Sequence, residues 1–265
     1  MQLLEGKKIA DEILRDIKEK IKLQRLKPGL AVVLIGQNEA SEIYVALKQK
    51  AAEAIGINFF LYRFSEEAEG NKIIEKIQEL NRDKNISGII VQLPLPKKLS
   101  TQKIMDAIAP EKDADGFSEQ SKVSPVFPNA ILQLIKSSGQ DLLGKNAVVI
   151  ANSKEFGETM NKVLENEKIK SRYILAKNIK NSLALIKNAD IVITAVGKPK
   201  LISGNMIKEG AIIIDGGISK IGEKVMGDVD FESVKNIAGY LSPVPGGVGP
   251  MTIACLLENV YKLSK

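Results

Sequence analysis

Residues 30–64 read LAVVLIGQNEASEIYVALKQKAAEAIGINFFLYRF and decide the fold. The segment opens with an uninterrupted apolar run, residues 30–36, which has the length and composition of a strand buried on both faces. In residues 40–55 apolar side chains recur every three or four positions, which predicts an amphipathic helix. A second apolar run, residues 57–64, follows. Strand, helix and strand in this order predict two parallel strands joined by a crossover helix, which is the unit of an α/β protein.

The same alternation continues along the chain. Residues 8–26 and 71–81 place isoleucines one helical turn apart and predict two more amphipathic helices. Further apolar runs predict buried, mostly parallel strands over residues 88–93, 147–152, 171–176, 190–197 and 211–217. The polar stretch 110–129 holds three prolines and interrupts the alternation, so we interpret it as a crossing between two domains. We therefore expect two α/β domains, residues 1–118 and 119–243, followed by a Gly/Pro-rich loop and a helix in residues 244–265.

Composition narrows the possible chemistry. The 265 residues contain 38 Lys and Arg against 32 Asp and Glu, a net charge of +6, but no arginine-rich arm that would indicate nucleic-acid binding. The single Cys255 excludes a disulfide framework and a thiolate metal cluster, and the absence of histidine excludes imidazole catalysis. No apolar run reaches the length of a membrane span, and no signal peptide is evident at the N-terminus. We expect a cytoplasmic protein that binds neither membrane nor nucleic acid and uses no metal.

The helix in residues 40–55 contains the first candidate functional residue. Lys48 falls within the apolar stripe of this helix, one turn after Tyr44. One interpretation is a lysine at the edge of the core whose charged end reaches solvent. The other is a desolvated lysine whose pKa is lowered, so that it gives and takes a proton near neutrality. The absence of histidine favours the second interpretation.

Two polar residues stand at positions suited to a ligand. Gln92 closes the apolar run of GIIVQLPLP, residues 88–96, and ligands of open α/β sheets bind outside the carboxyl ends of the strands. Alternatively, Gln92 is an amide satisfied at a strand end. Asp115 lies in EKDADGF, residues 111–117, where Asp-Gly is compatible with a simple turn. A carboxylate there also suits paired hydrogen bonds from an amino-heterocycle.

The string SPVPGGVGPMT, residues 242–252, combines three glycines with three prolines. So little side chain lets a ligand approach the backbone closely. We expect a helix N-terminus capped by Thr252 to follow, which together with the free N–H groups suits an anionic or amide-rich ligand. A rigid loop without a ligand is the alternative.

These four strings, in this order and spacing, resemble the signatures of the bifunctional methylenetetrahydrofolate dehydrogenase/methenyltetrahydrofolate cyclohydrolase family. AVGKP at 195–199 and VMGDVD at 225–230 resemble family segments as well, so the likeness spans nearly the whole chain. The resemblance implies an N-terminal folate-binding catalytic domain, a Rossmann-type second domain, a last helix that returns to the first domain, and a homodimer. It also implies NADP-dependent oxidation of 5,10-methylenetetrahydrofolate and hydrolysis of the 5,10-methenyl product to 10-formyltetrahydrofolate.

The resemblance further implies a role for each candidate. Lys48 resembles the catalytic lysine of the family, which polarises the reacting centre and shuttles protons, and Gln92 would position Lys48 and help keep it deprotonated for part of the cycle. Tyr44 would stack against the folate, and Asp115 would anchor the amino-pyrimidinone ring. The substrate would also pass along Val244, Pro245, Gly246 and Gly247. The cofactor would be bound by Ala151, Asn152, Ser153, Gly157, Lys177 and Ile218.

The sequence departs from the family in the nucleotide turn. The family's Gly-Arg-Ser-x-x-Val-Gly-x-Pro reads ANSKEFGET at residues 151–159. Ala151 replaces the glycine that lets the backbone approach a phosphate, and Asn152 replaces the arginine expected near the ribose phosphate. Glu158 adds a negative charge, whereas Ser153 and Gly157 are retained.

Three explanations follow from these departures: weak NADP binding, use of NAD, or loss of the dehydrogenase. PNAI at residues 128–131 replaces the family's Pro-Cys-Thr-Pro-x-Gly, which borders both folate and nicotinamide. The family's Cys-His-Ser segment is replaced by ILAK at residues 174–177, where Lys177 would partly restore a phosphate partner. The lack of an acidic residue at the end of 171–177 argues against ordinary NAD recognition. We expect a weakened NADP dehydrogenase beside a working cyclohydrolase, with loss of the dehydrogenase as the alternative. A non-catalytic folate-binding subunit is a third reading, which the intact Tyr44, Lys48, Gln92 and Asp115 disfavour.

Overall fold

The computed structural model describes residues 1–222 and 224–265. Its strands are β1 (Gln2–Leu3), β2 (Gly29–Ile35), β3 (Asn58–Phe64), β4 (Gly88–Val91), β5 (Asn146–Ala151), β6 (Lys170–Leu175), β7 (Ile191–Ala195), β8 (Ile212–Asp215), β9 (Ser219–Ile221), β10 (Lys224–Met226) and β11 (Tyr240–Leu241). Its α-helices are α1 (Gly6–Gln24), α2 (Glu39–Ile55), α3 (Gly70–Arg82), α4 (Thr101–Met105), α5 (Val126–Lys136), α6 (Lys154–Asn166), α7 (Leu183–Lys187), α8 (Phe231–Val234) and α9 (Val248–Leu263). Short 3-10 helices cover Pro110–Lys112, Ala176–Ser182 and Gly204–Met206.

The chain forms two compact units. Residues 10–126 and 253–265 make up one, which we call the three-stranded unit, and residues 1–9 and 127–252 make up the other, which we call the six-stranded unit. The boundary near residue 126 lies eight residues beyond the position predicted from sequence. The first nine residues join the six-stranded unit because β1 pairs in parallel with β11.

The three-stranded unit has a parallel sheet in the order β3-β2-β4. Strand β2 lies in the centre and is buried along its whole length, as its uninterrupted apolar run predicts. Helix α2 begins where the Asn38 side chain accepts a hydrogen bond from the Ser41 N–H, and it crosses from β2 to β3. The last helix returns to this unit, where the Asn259 amide donates to the carbonyls of Ala114 and Ser124 at 2.9 Å each. These contacts fix the segment that follows β4.

The six-stranded unit contains a sheet in the order β1-β11-β8-β7-β5-β6, in which every neighbouring pair is parallel. Strands β9 and β10 form a separate antiparallel pair. The core on one face of the large sheet consists of Val148, Ile150, Ile186, Ala189, Val192, Ile202, Ile207, Ala211, Ile213, Val234, Ala238 and Leu241. The α/β class with mostly parallel sheets is therefore confirmed.

All seven strands expected from apolar runs are present, with ends within two residues of the predicted positions. The stretch 110–129 is more regular than predicted, because it contains a 3-10 helix at Pro110–Lys112 and the start of α5 at Val126. The short strands β1, β9, β10 and β11 carry too few residues for a recognisable pattern and were not predicted. Among residues 1–222 and 224–265, no helix has the length and apolar character needed to cross a bilayer.

Replacing Gly157 with alanine is expected to lower the free energy of unfolding by about 1–2 kcal/mol. A Cβ at this position of α6 would lie 2.5 Å from Cγ of Tyr173 on β6. So short an approach places the cost of overpacking at the upper end of its range, about 2–3 kcal/mol, against a gain in helix propensity of about 1 kcal/mol. Urea unfolding measures the difference. Exposed Glu158→Ala on the same helix is the control, with a change within about 0.5 kcal/mol. An unchanged stability of Gly157→Ala would contradict this close packing.

Candidate active site

Lys48 and Gln92 meet at the carboxyl end of the three-stranded sheet. Lys48 is half-buried on α2, and its Nζ donates to Oε1 of Gln92 at 2.9 Å. The Gln92 amide is itself oriented, because its Nε2 donates to the carbonyl of Leu93 at 2.7 Å. Ser41, at the start of α2, donates its hydroxyl to the same carbonyl at 3.4 Å. Hydrogen bonds from Ser41 and Lys48 thus link α2 to the segment that follows β4, at the end of the sheet where α/β proteins bind ligands.

Burial lowers the pKa of Lys48 below its ordinary value, and the carboxylate of Asp115 opposes this shift. Burial likewise raises the pKa of Asp115 to about 6, against the lowering effect of Lys48. The Gln92 oxygen accepts a hydrogen bond from Lys48 and so does not favour loss of the proton. Desolvation, rather than Gln92, is therefore the physical cause that brings the amine towards the neutral form.

Asp115 is held in place by a residue that the sequence did not single out. The carboxylate of Asp113, which is buried, accepts hydrogen bonds from the N–H groups of Gly116 at 2.9 Å and Ser118 at 2.8 Å. The carbonyl of Asp115 accepts the N–H of Val126 at 2.9 Å. These bonds fix the backbone on both sides of Asp115 and leave its carboxylate near Lys48. The only sequence signal was the Asp-x-Asp-Gly pattern, which is also that of an ordinary turn.

Tyr44 lies one turn before Lys48 on α2 and is half-buried. Burial raises the pKa of its phenol, so the ring carries no charge near neutrality. Lys48, Gln92, Asp115 and Tyr44 therefore all belong to the three-stranded unit, and an amine, an amide, a carboxyl group and an aromatic ring are available there.

The loop with Val244, Pro245, Gly246 and Gly247 belongs to the six-stranded unit. The Gly246 carbonyl accepts the N–H of Lys7 at 2.9 Å, and a Cβ on Gly6 would lie 1.9 Å from the Gly247 carbonyl oxygen. This approach explains glycine at position 6, whereas in the loop itself Gly246 has a φ of +103° and a Cβ on Gly247 would lie 2.6 Å from the Pro243 carbonyl oxygen. The expected cap is wrong: α9 begins at Val248, and the Thr252 hydroxyl lies inside it, donating to Gly249 O at 2.7 Å.

The nucleotide turn lies between β5 and α6. Ala151 ends β5 and is fully buried, and the Ser153 hydroxyl caps α6 by accepting the Phe156 N–H at 3.2 Å. The Asn152 amide donates to the Val196 carbonyl at 2.5 Å, so it bridges the ends of β5 and β7. Glu155 lies in the first turn of α6. Hydrogen bonds from its own backbone N–H and from the Ser153 hydroxyl lower the pKa of its carboxyl group, so this turn carries a carboxylate.

The remaining candidates for cofactor binding are found at neighbouring strand ends. Gly157 brings α6 close to Tyr173, which is the role of the last glycine in a dinucleotide-binding turn. Lys177 is exposed two residues after β6, the strand that pairs with β5. Ile218 is half exposed directly after Gly216 and Gly217 at the end of β8. The fold around the turn therefore suits a dinucleotide, whereas a cation at position 152 is missing.

A half-buried lysine of lowered pKa at a sheet end and a Rossmann-type unit on one chain are the features of a dinucleotide-linked α/β enzyme. Residues 4–115 match the family model for the catalytic domain of tetrahydrofolate dehydrogenase/cyclohydrolase, and residues 125–265 match the model for its NAD(P)-binding domain. The chain belongs to the tetrahydrofolate dehydrogenase/cyclohydrolase family.

Several relatives match over the whole chain. A bifunctional FolD protein from Moorella thermoacetica is 42% identical over 277 residues, covering 100% of this chain and 99% of the relative. The crystal structure of bifunctional FolD from Campylobacter jejuni has a TM-score of 0.94 and 38% identity, covering 100% and 98%. The Trypanosoma brucei FolD enzyme, solved with NADP and an inhibitor, has a TM-score of 0.93 and 29% identity, covering 98% and 96%.

Proposed function

We propose that this chain oxidises 5,10-methylenetetrahydrofolate with NADP and hydrolyses the methenyl product to 10-formyltetrahydrofolate, with Lys48 as the proton-transfer residue. The family supports the two activities, and the Lys48–Gln92 contact supports the choice of residue. A half-buried amine with a lowered pKa suits both acceptance and return of a proton near neutrality.

In the hydrolysis, neutral Lys48 accepts a proton from the water that attacks the methenyl carbon. The resulting ammonium then returns this proton to the ring nitrogen as the carbon–nitrogen bond opens, and the proton of the new hydroxyl group leaves to solvent as the formyl carbonyl forms. Gln92 keeps the amine in one orientation through its 2.9 Å hydrogen bond. We assign Gln92 the positioning of Lys48 and assign the lowered pKa to burial.

The other candidates bind the substrate. Asp115, fixed by Asp113, accepts paired hydrogen bonds from the amino-pyrimidinone ring, and the Tyr44 ring stacks against the folate. The loop Val244, Pro245, Gly246 and Gly247 contacts the substrate through its backbone. The family resemblance also implies a homodimer, for which the sedimentation coefficient is the test.

The nucleotide turn supports weakened NADP binding. The bound dinucleotide supplies the hydride acceptor for the oxidation, and the chain would hold it with Ala151, Asn152, Ser153, Gly157, Lys177 and Ile218. Asn152 offers no charge to a phosphate and is engaged with Val196 O. Glu155 and Glu158 place carboxylates on the first turns of α6, where a phosphate would otherwise meet the positive end of the helix.

The first experiment incubates purified protein with methylenetetrahydrofolate and NADP and follows reduced nicotinamide by absorbance. We expect slow turnover, beside full hydrolysis of methenyltetrahydrofolate by the same preparation. Hydrolysis without any reduction of NADP would favour a cyclohydrolase that has lost the dehydrogenase. Tight NADP binding in calorimetry would contradict the weakened site, and a protein that binds folate but catalyses neither reaction would be a non-catalytic subunit.

A further inference from the structure

Two buried carboxylates to which no role has been assigned above lie at the carboxyl end of the large sheet. Asp215 is the last residue of β8 and Asp228 follows β10, and their exposed fractions are 4% and 0%. Buried carboxylates are costly unless several donors compensate them. We call Asp215 and Asp228 the carboxylate clasp.

Asp228 binds the turn that follows β7. Its Oδ2 accepts the Thr194 hydroxyl at 2.7 Å and the Val196 N–H at 2.8 Å, and its Oδ1 accepts the Lys198 N–H at 2.6 Å. Three donors from one short segment converge on one carboxylate, so residues 194–198 are fixed by it.

Asp215 binds the segments around it in the same way. Its Oδ1 accepts the N–H groups of Gly217 and Asp228 at 3.0 Å each, and its Oδ2 accepts the Val229 N–H at 2.9 Å. The Asp215 carboxylate therefore binds the backbone of Asp228, while the Asp228 side chain binds the turn after β7. Burial raises the pKa of Asp215 to about 6, so the carboxylate is ionised in assays well above that pH.

The glycines beside the clasp leave space for it. A Cβ on Gly217 would lie 2.1 Å from Cγ of Asp228, and a Cβ on Gly227 would lie 2.0 Å from Oδ2 of Asp215. Each carboxylate thus packs directly on the backbone of the other segment. These short approaches explain glycine at both positions without any ligand.

The clasp fixes the two turns at the ends of β7 and β8, which are neighbouring strands with Thr194 opposite Asp215. Ligands of such sheets bind outside these strand ends, and Ile218 follows Gly217 directly. We propose that Asp215 and Asp228 are positioning residues that hold the turns 195–198 and 216–218 in the conformation that receives the cofactor. The clasp thereby governs the dehydrogenase and leaves the cyclohydrolase untouched. This inference rests on the proposed NADP-dependent activity.

Asp228→Asn tests the proposal because an amide NH2 would replace one acceptor and face an N–H donor. We expect exchange of the Val196 and Lys198 amide hydrogens, measured in the cofactor-free protein, to accelerate about tenfold or more, since a hydrogen bond to a charged group is lost. We also expect KM for NADP to rise about tenfold, with methenyltetrahydrofolate hydrolysis unchanged within about twofold. Asp230→Asn, two residues along the chain, is the matched control and should change none of these values.

Thr194→Val is the milder second variant, because it removes one donor and keeps both N–H bonds. A smaller rise of KM for NADP, about two- to fivefold, is expected from loss of a single hydrogen bond. Unchanged amide exchange in Asp228→Asn would overturn the proposal that the carboxylate orders these turns. Equal losses of dehydrogenase and cyclohydrolase activity in the two variants would overturn the proposal that the clasp affects only cofactor binding. A lack of dehydrogenase turnover in the wild-type protein would contradict the proposed use of NADP and not the role of the clasp. Amide exchange, measured without cofactor, would then still show whether the Asp228 carboxylate orders the turns.

Discussion

Substitution of Lys48 by methionine is expected to reduce cyclohydrolase turnover by roughly three orders of magnitude, to the spontaneous rate. Methionine keeps the length and apolar stem that lie within the stripe of α2 but removes the group that carries the proton. The hydrogen bond to Gln92 Oε1 is lost as well. Because Asp115 and Tyr44 remain in place, the affinity for folate should change little. The loss should therefore fall on the turnover number and not on KM.

The measurement is the rate of methenyltetrahydrofolate hydrolysis together with folate binding by calorimetry. Lys50→Met is the matched control, since Lys50 is exposed on the same helix and should retain wild-type turnover. Burial lowers the pKa of Lys48, so wild-type turnover should fall as the pH drops through that lowered value and the amine becomes protonated. This acidic limb should be absent from the residual activity of Lys48→Met. Near-wild-type turnover of the variant would remove Lys48 from the mechanism.

Two of the site residues could be predicted from local sequence patterns. Lys48 was found because a charged residue interrupts a helical apolar stripe, and Gln92 because a polar residue ends a buried strand. Both residues lie on elements that meet near the carboxyl end of the sheet, because a helix that crosses between parallel strands begins there. The 2.9 Å contact itself is a finding of the structure, since Lys48 lies nine residues after the start of α2. Local patterns were sufficient here because each residue differs in character from its own neighbours.

Residues that act by accepting hydrogen bonds from backbone N–H groups could not be predicted, whether those groups lie close in the chain or far away. Asp113 holds the N–H groups of Gly116 and Ser118, and Asp228 holds those of Val196 and Lys198, about thirty residues earlier in the chain. Every residue except proline has a backbone N–H, so the sequence does not show which of these groups a carboxylate accepts from. Such carboxylates therefore resemble ordinary turn residues. The same holds for β1, whose two residues pair with β11 near the other end of the chain.

At the nucleotide turn the sequence predicted a missing charge, and the structure adds a second effect. Asn152 does not merely lack the family's guanidinium, because its amide also links the turn to the Val196 carbonyl. The carbonyl it engages belongs to the same turn whose Val196 N–H is held by Asp228. Replacing Asn152 with arginine would therefore remove the neutral hydrogen bond to the Val196 carbonyl and add a cation for a phosphate of the proposed cofactor.

Asn152→Arg is expected to lower KM for NADP by about tenfold. A charge-assisted bond to a phosphate contributes about 1.5–3 kcal/mol, and loss of the neutral bond to Val196 O offsets about 1 kcal/mol of that gain. Because the arginine would pair with the phosphate on the ribose, KM for NAD should stay within about twofold of wild type. The ratio of the two KM values, measured from nicotinamide reduction, isolates the contribution of this phosphate from any general change in the turn.

Asn152→Gln is the neutral control, since it disturbs the Val196 bridge without adding charge, and it should not improve NADP binding. Lys177 provides a second comparison because it is the nearest candidate phosphate partner after β6. If Lys177 compensates for the missing arginine, Lys177→Met should weaken NADP binding more in the wild-type background than in Asn152→Arg. Equal losses in both backgrounds would mean that the two positions act independently. An unchanged NADP KM in Asn152→Arg would shift the cause of weak binding from the missing cation to the carboxylates on α6.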